Sequence, residues 1–120
     1  MLSHQYAETT ERNEMPTLHD SQWAETEDAS SLLSALTTLD DNAATERFLR
    51  DLCTRREIDE FVSRWAVVRK LAEGHSYRTI HDETGVSTAT VTRINDWFRN
   101  GSGGYLEALQ RLGIEPVQKP

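Results

Sequence analysis

The chain has one cysteine in 120 residues, so no internal disulfide can form. Cys53 also has no His or Cys beside it, which favours a small core residue over a reactive thiol. The four histidines, His4, His19, His75 and His81, share no metal-ligand spacing with one another or with Cys53. Walker loops, nucleophile elbows and HExxH motifs are missing. The carboxylate pairs Asp59/Glu60 and Asp82/Glu83 fall on helix surfaces, with no sign of the cleft that acid–base chemistry needs. No apolar run approaches the roughly 20 residues that span a bilayer. Period-two alternation, the mark of strands, is also absent. These absences point away from an enzyme, a metalloprotein and a membrane span. With no signal peptide evident, the expected location is cytoplasmic.

Apolar residues make up 37% of the chain, little for a self-sufficient globule and reasonable if part of it is disordered. The net charge of −7 is unevenly placed. Residues 1–60 hold 14 Asp/Glu and 5 Lys/Arg, while residues 61–120 hold 6 and 8. Partners feel the local field, so the weakly basic second half permits contact with phosphates despite the acidic total.

Residues 1–29 are acidic and lack a helical period, which predicts a disordered N-terminal tail. Trp23, with Leu32 and Leu33, is an alternative start for a partner-covering arm. From Ser30 the pattern becomes helical: Leu32, Leu33, Leu36 and Leu39 share a face. Asp41 is a plausible N-cap for a helix that buries Phe48, Leu49, Leu52 and Cys53. Thr54-Arg55-Arg56-Glu57 matches a capping box. The long helix behind it carries Ile58, Phe61, Val62, Trp65, Val68, Leu71 and Ala72, and stops at Gly74. Ser76 and Ser87 can cap two further helices around a turn at Gly85. A last helix with Tyr105, Leu106, Leu109 and Leu112 ends before Gly113 and Pro116. The prediction is an all-α domain of about six helices over residues 30–113, with a C-terminal tail over 114–120. Several stripes, Leu32–Leu39 and Tyr105–Leu112 above all, need a covering surface, and a homodimer would supply it.

Residues 76–98 fit a helix-turn-helix. Gly85, with Val91 six residues on and Ile94 nine on, satisfies the general mask, whereas His81 stands where a small residue is usual. The second helix opens Ser87-Thr-Ala-Thr-Val-Thr-Arg93. Small hydroxyl side chains there let a helix approach base edges closely, and its free amides attract phosphate. Thr88, Ala89 and Thr92 are expected to face bases. Ser76, Arg78, Ser87 and Thr90 would position phosphates, and Arg93 is a further phosphate candidate. A solvated helical hairpin is the plainer alternative, but a plain surface helix would carry Glu and Lys in place of this Thr/Ser run.

The stretches FLRDLCTRREI (48–58), LAEGHSY (71–77), TGVSTATVTRIN (84–95) and NGSGGY (100–105) resemble the YerC/YecD family of Trp-repressor-related proteins. The likeness extends over about residues 30–112. It implies an intertwined all-helical homodimer whose helix-turn-helix binds operator DNA. By position, the DNA-facing residues of the more distant tryptophan repressor fall on Arg78, Thr88, Ala89, Thr90 and Thr92. Thr88 replaces an isoleucine, and the other four keep the repressor's residue type. The repressor's corepressor ligands fall on Thr54, Arg64 and Arg93, all present as a ligand-pocket remnant. However, Ile94 replaces a glycine and Trp97 a serine in that pocket, and their bulk predicts that tryptophan is not a corepressor here.

The expected function is therefore a sequence-specific DNA-binding transcriptional regulator, a repressor that binds double-stranded DNA as a homodimer with no cofactor. The alternative is a helical protein-interaction module that does not bind DNA and whose acidic tail recruits a partner. In a third reading that tail is autoinhibitory and covers the DNA face.

Overall fold

A computed structural model describes residues 22–117. It contains six α-helices and, among the described residues, no strand. They are α1 (Glu27–Thr37), α2 (Asn42–Leu52), α3 (Arg55–Ala72), α4 (Tyr77–Thr84), α5 (Thr88–Asn100) and α6 (Gly104–Arg111). A single 3₁₀ turn, Gln22–Glu25, precedes them.

The first helix corrects the expected boundary of the tail. Among the described residues a 3₁₀ turn occupies Gln22–Glu25 and α1 starts at Glu27, so residues 22–29 are not part of a disordered segment. Thr26 is the N-cap: its Oγ1 accepts the Ala29 amide at 3.1 Å and donates to the Trp23 carbonyl, also at 3.1 Å. Glu27 and Asp28 then sit in the first turn, where the helix dipole favours acid. Residues 1–21, the remainder of the expected tail, lie outside the described residues.

The other helix ends follow local chemistry. Asp41 Oδ1 accepts the Ala44 amide at 2.8 Å. Thr54 and Glu57 form a reciprocal capping box, with Glu57 N–H on Thr54 Oγ1 at 3.1 Å and Thr54 N–H on Glu57 Oε1 at 2.8 Å. At the far end of α3, Gly74 adopts φ +87°. The amides of Gly74 and His75 reach back to the carbonyls of Leu71 and Lys70, each at 3.0 Å, which is a Schellman ending. Cys53 lies at the C-cap of α2 in extended conformation, half-buried, and not within the helix's apolar stripe.

The core is lopsided. Val67, Val68 and Ala72 from the C-terminal half of α3 meet Ile80 of α4, Val91, Ile94 and Phe98 of α5, and Leu109 of α6. Val67, outside the apolar stripe expected for this helix, is fully buried. Tyr105 fastens α6 to the rest, tilted against Trp65 at 6.4 Å and edge-on to Phe98 at 6.5 Å. After α6 the chain folds back: Ile114 joins the core, and the Val117 amide donates to the Ala72 carbonyl at 2.8 Å. Residues 114–117 are thus docked and do not form a free tail.

Among the described residues nothing comparable holds α1 and α2. No residue of α1 or α2 is buried. α1 packs mainly on the Gln22–Glu25 turn, and α2 packs on α3. Leu33, Leu36, Leu52, Phe61 and Val62 are all exposed, Val62 by 64%. Of the apolar stripe expected to be internal, Ile58 is half-buried, whereas Phe61 and Val62 stay exposed among the described residues. Between α2 and α3 the stripe borders a groove of about 960 Å³ that includes Leu49, Cys53, Ile58 and Val62.

Candidate nucleic-acid interface

Helices α4 and α5 leave the core as a unit, joined by Gly85 in the left-handed region at φ +77°. Ile80, Val91 and Ile94 bury their inner faces, with Val86 packed alongside. Three side chains fasten the connection. Thr84 Oγ1 donates to the Ile80 carbonyl at 2.6 Å and accepts the Val86 amide at 3.1 Å. His81 Nδ1 lies 2.8 Å from the Val86 carbonyl oxygen. Farther along, Asn95 Nδ2 donates to Tyr77 Oη at 2.7 Å and bridges the two helices.

Both helices open with the same device. Ser76 Oγ accepts the Thr79 amide at 3.1 Å and donates to Thr79 Oγ1 at 3.0 Å. Ser87 Oγ accepts the Thr90 amide at 3.2 Å and donates to Thr90 Oγ1 at 3.0 Å. With each serine proton engaged, the outward donors are the hydroxyl protons of Thr79 and Thr90. Ser76 and Ser87 thus hold Thr79 and Thr90 in place, and Thr79 joins the candidate set. The repeated Ser-x-x-Thr spacing at 76–79 and 87–90 is the sequence signal that would have found it. Thr92 Oγ1 donates to the Thr88 carbonyl at 2.9 Å, which leaves its methyl group and lone pairs for an approaching surface.

Thr88, Ala89, Thr92, Arg93 and Arg78 are all exposed. Asp82 stands four residues after Arg78, yet neither Arg78 nor Arg93 enters any ion pair among the described residues. Arg93 reaches only Thr90 Oγ1, at 3.4 Å. Glu83, at the end of α4, is engaged elsewhere: it pairs with Lys70 of α3 at 2.8 Å. The Lys70 hydrogen bond holds the Glu83 carboxyl below its ordinary pKa against an opposing desolvation, and the charges of Lys70 and His75 add to the lowering. His75 bridges this cluster, 3.3 Å from Glu73 and 3.7 Å from Glu83. A lysine and a glutamate thereby pin the end of α4 to the end of α3.

A cleft of about 410 Å³ separates the start of α5 from the middle of α3. Arg56, Arg64 and Arg93 line it with Asp59, Val86 and Ile94. Of the five residues expected in a pocket remnant, Arg64, Arg93 and Ile94 meet there, and Thr54 and Trp97 do not. Thr54 is committed to its capping box ten residues before Arg64, roughly 15 Å along the helix. Trp97 lies a turn beyond Ile94, with its ring against Gly101, where an added Cβ would stand 3.3 Å from the indole. Ile94 is only 2% exposed, and it alone supplies the expected bulk in this cleft.

Comparison with known proteins agrees with this arrangement. The family model described as Trp repressor protein matches residues 27–113. The uncharacterized protein YerC of Bacillus subtilis (strain 168) is 40% identical over 81 residues, 68% of this chain and 78% of that protein. A TrpR-like protein from Eubacterium eligens superposes with a TM-score of 0.74 at 33% identity, covering 79% of this chain and 98% of its own. A solved structure from Staphylococcus aureus gives the same TM-score at 32% identity, covering 79% of this chain and 95% of its own. With its long capped helix, its helix-turn-helix and a match that begins at the first residue of α1, the chain belongs to the Trp repressor family, in the group that includes YerC.

Proposed function

We propose that this protein is a sequence-specific DNA-binding transcriptional regulator that represses from a two-fold operator as a cytoplasmic homodimer. The observation that carries this reading is the exposed first half of α5. There Thr88, Ala89 and Thr92 share an exposed surface with Arg78 and Arg93, which enter no ion pair among the described residues, on a helix whose inner face is locked into the core. Small side chains at that turn admit base edges, and Thr and Ala methyls suit the thymine methyl. Thr90, Thr79 and Arg78 would hold the backbone on either side.

The homodimer reading is supported by the uncovered apolar residues on α1, α2 and the first half of α3, which a second copy can bury. Tryptophan is proposed not to act as corepressor, because Ile94 fills part of the cleft beside those arginines.

Selection of bound duplexes from random-sequence DNA tests the function. A two-fold-symmetric motif is the expected product, and recovery of no motif refutes the reading. Arg78→Ala should weaken binding to every sequence and lower the salt slope by about one. Unchanged affinity and slope would remove Arg78 from the interface.

A further inference from the structure

We infer that His81 is a positioning residue for DNA readout, which sets the direction of α5 through one hydrogen bond across the turn. The inference rests on the DNA-binding reading above and adds a residue that this reading does not use.

The position is unusual from the start, since a small residue is the norm four before the turn glycine. His81 fits because its exposed ring runs over the outside of the turn to the Val86 carbonyl, 2.8 Å away. A carbonyl oxygen can only accept, so the contact requires the proton on Nδ1. Val86 precedes the N-cap Ser87, and its carbonyl lies outside the hydrogen-bond ladder of α5. The imidazole therefore ties the last turn of α4 to the peptide immediately ahead of the reading helix.

That placement gives the bond leverage. Six residues separate Val86 from Thr92, roughly 9 Å of helix. A swing of about 10° at Val86 would displace Thr92 by roughly 1.6 Å, several times the ~0.5 Å tolerance of a well-placed contact. Thr84 fixes the backbone of the turn, and the Asn95–Tyr77 bond braces α5 farther along. His81 is the restraint on its leading end. Losing it should harm base readout, which needs sub-ångström placement, and spare backbone contacts made by long, adaptable arginines.

The test compares wild type, His81→Leu and His81→Asn on the selected two-fold duplex and on a scrambled duplex of equal length. The amide nitrogen of asparagine overlays Nδ1 and can keep the bond. His81→Leu should lose about 3- to 10-fold in affinity for the selected duplex. It should bind the scrambled duplex as wild type does, and His81→Asn should recover most of the loss. Equal binding by His81→Leu and wild type overturns the inference, as does a His81→Asn variant no better than His81→Leu. Wild type that binds neither duplex overturns the DNA reading instead. Nitrogen-15 spectra of the wild-type imidazole give a check without DNA. Nδ1 should be the protonated nitrogen of the neutral ring, and protonation at Nε2 alone refutes the bond even if the leucine variant fails to fold.

Discussion

Val62→Asp separates two accounts of the exposed apolar surface. Val62 is 64% exposed on the first half of α3, among Leu49, Cys53 and Ile58 along the α2–α3 groove. In an isolated chain the substitution is a surface change, expected to shift stability by no more than about 0.5 kcal/mol. In a dimer that buries this stripe the account differs. Covering the exposed two-thirds of a valine contributes about 1–2 kcal/mol, which is lost, and an unpaired carboxylate is desolvated at several kcal/mol more. Two-fold symmetry applies the penalty twice, so the dissociation constant should rise by at least four powers of ten. Sedimentation velocity over about 1–100 µM reads it directly: wild type as a dimer, Val62→Asp as a monomer. The monomer should keep the near-ultraviolet signals of Trp65 and Tyr105, because their core is built by α3 to α6 alone. A variant that dimerises as wild type does would show that this stripe faces solvent and that the dimer reasoning is wrong.

Other perturbations address single features. The Glu83 pKa is lowered in the folded chain, so its contribution is present above the unfolded carboxylate pKa and is lost as pH falls through the folded value. Glu83→Gln should therefore lower the melting temperature at pH 7, and the gap to wild type should close as pH falls below the ordinary carboxylate range. A gap that does not depend on pH would contradict the pairing with Lys70. Gly74→Ala should destabilise by more than about 1 kcal/mol, because the new Cβ would meet Val117 Cγ2 at 2.8 Å at a φ of +87°. Chemical denaturation gives the value, and a neutral result would mean that residues 114–117 do not pack over the C-terminal end of α3. Calorimetric titration with tryptophan should give no binding heat, and micromolar binding would refute the exclusion argued from Ile94.

The parts of the fold legible in the sequence were those decided within a few residues. Asp41, Thr54 with Glu57, Ser76 and Ser87 cap helices where expected, and Gly74 and Gly85 end them, because capping is local chemistry. The start at Thr26 was missed because the apolar period begins only at Leu32, whereas the cap and acidic first turn lie before it. Phe61 and Val62 were legible as a stripe, but a stripe does not say whether its cover belongs to the same chain. Of the candidate site, the exposed face of Arg78, Thr88, Ala89 and Thr92 was readable from spacing. The internal bonding of Ser76, Ser87 and His81 was not, since it depends on how the turn closes. Thr54 and Trp97 were grouped with Arg64 and Arg93 by resemblance, but Thr54 is ten residues from Arg64 along α3, and the Trp97 ring lies against Gly101.

The one-sided core has a consequence for how the chain opens. α3 is a single 18-residue rod, yet only its second half is clamped by three other helices. In one isolated chain its amides should exchange with solvent as two populations. Those before Trp65 should fray from the capped end, and those from Val67 to Ala72 should wait for the whole C-terminal assembly to unfold. Any partner that grips α1, α2 and the start of α3 would slow exchange at the near end of this rod while leaving α4 and α5 free to meet a second surface.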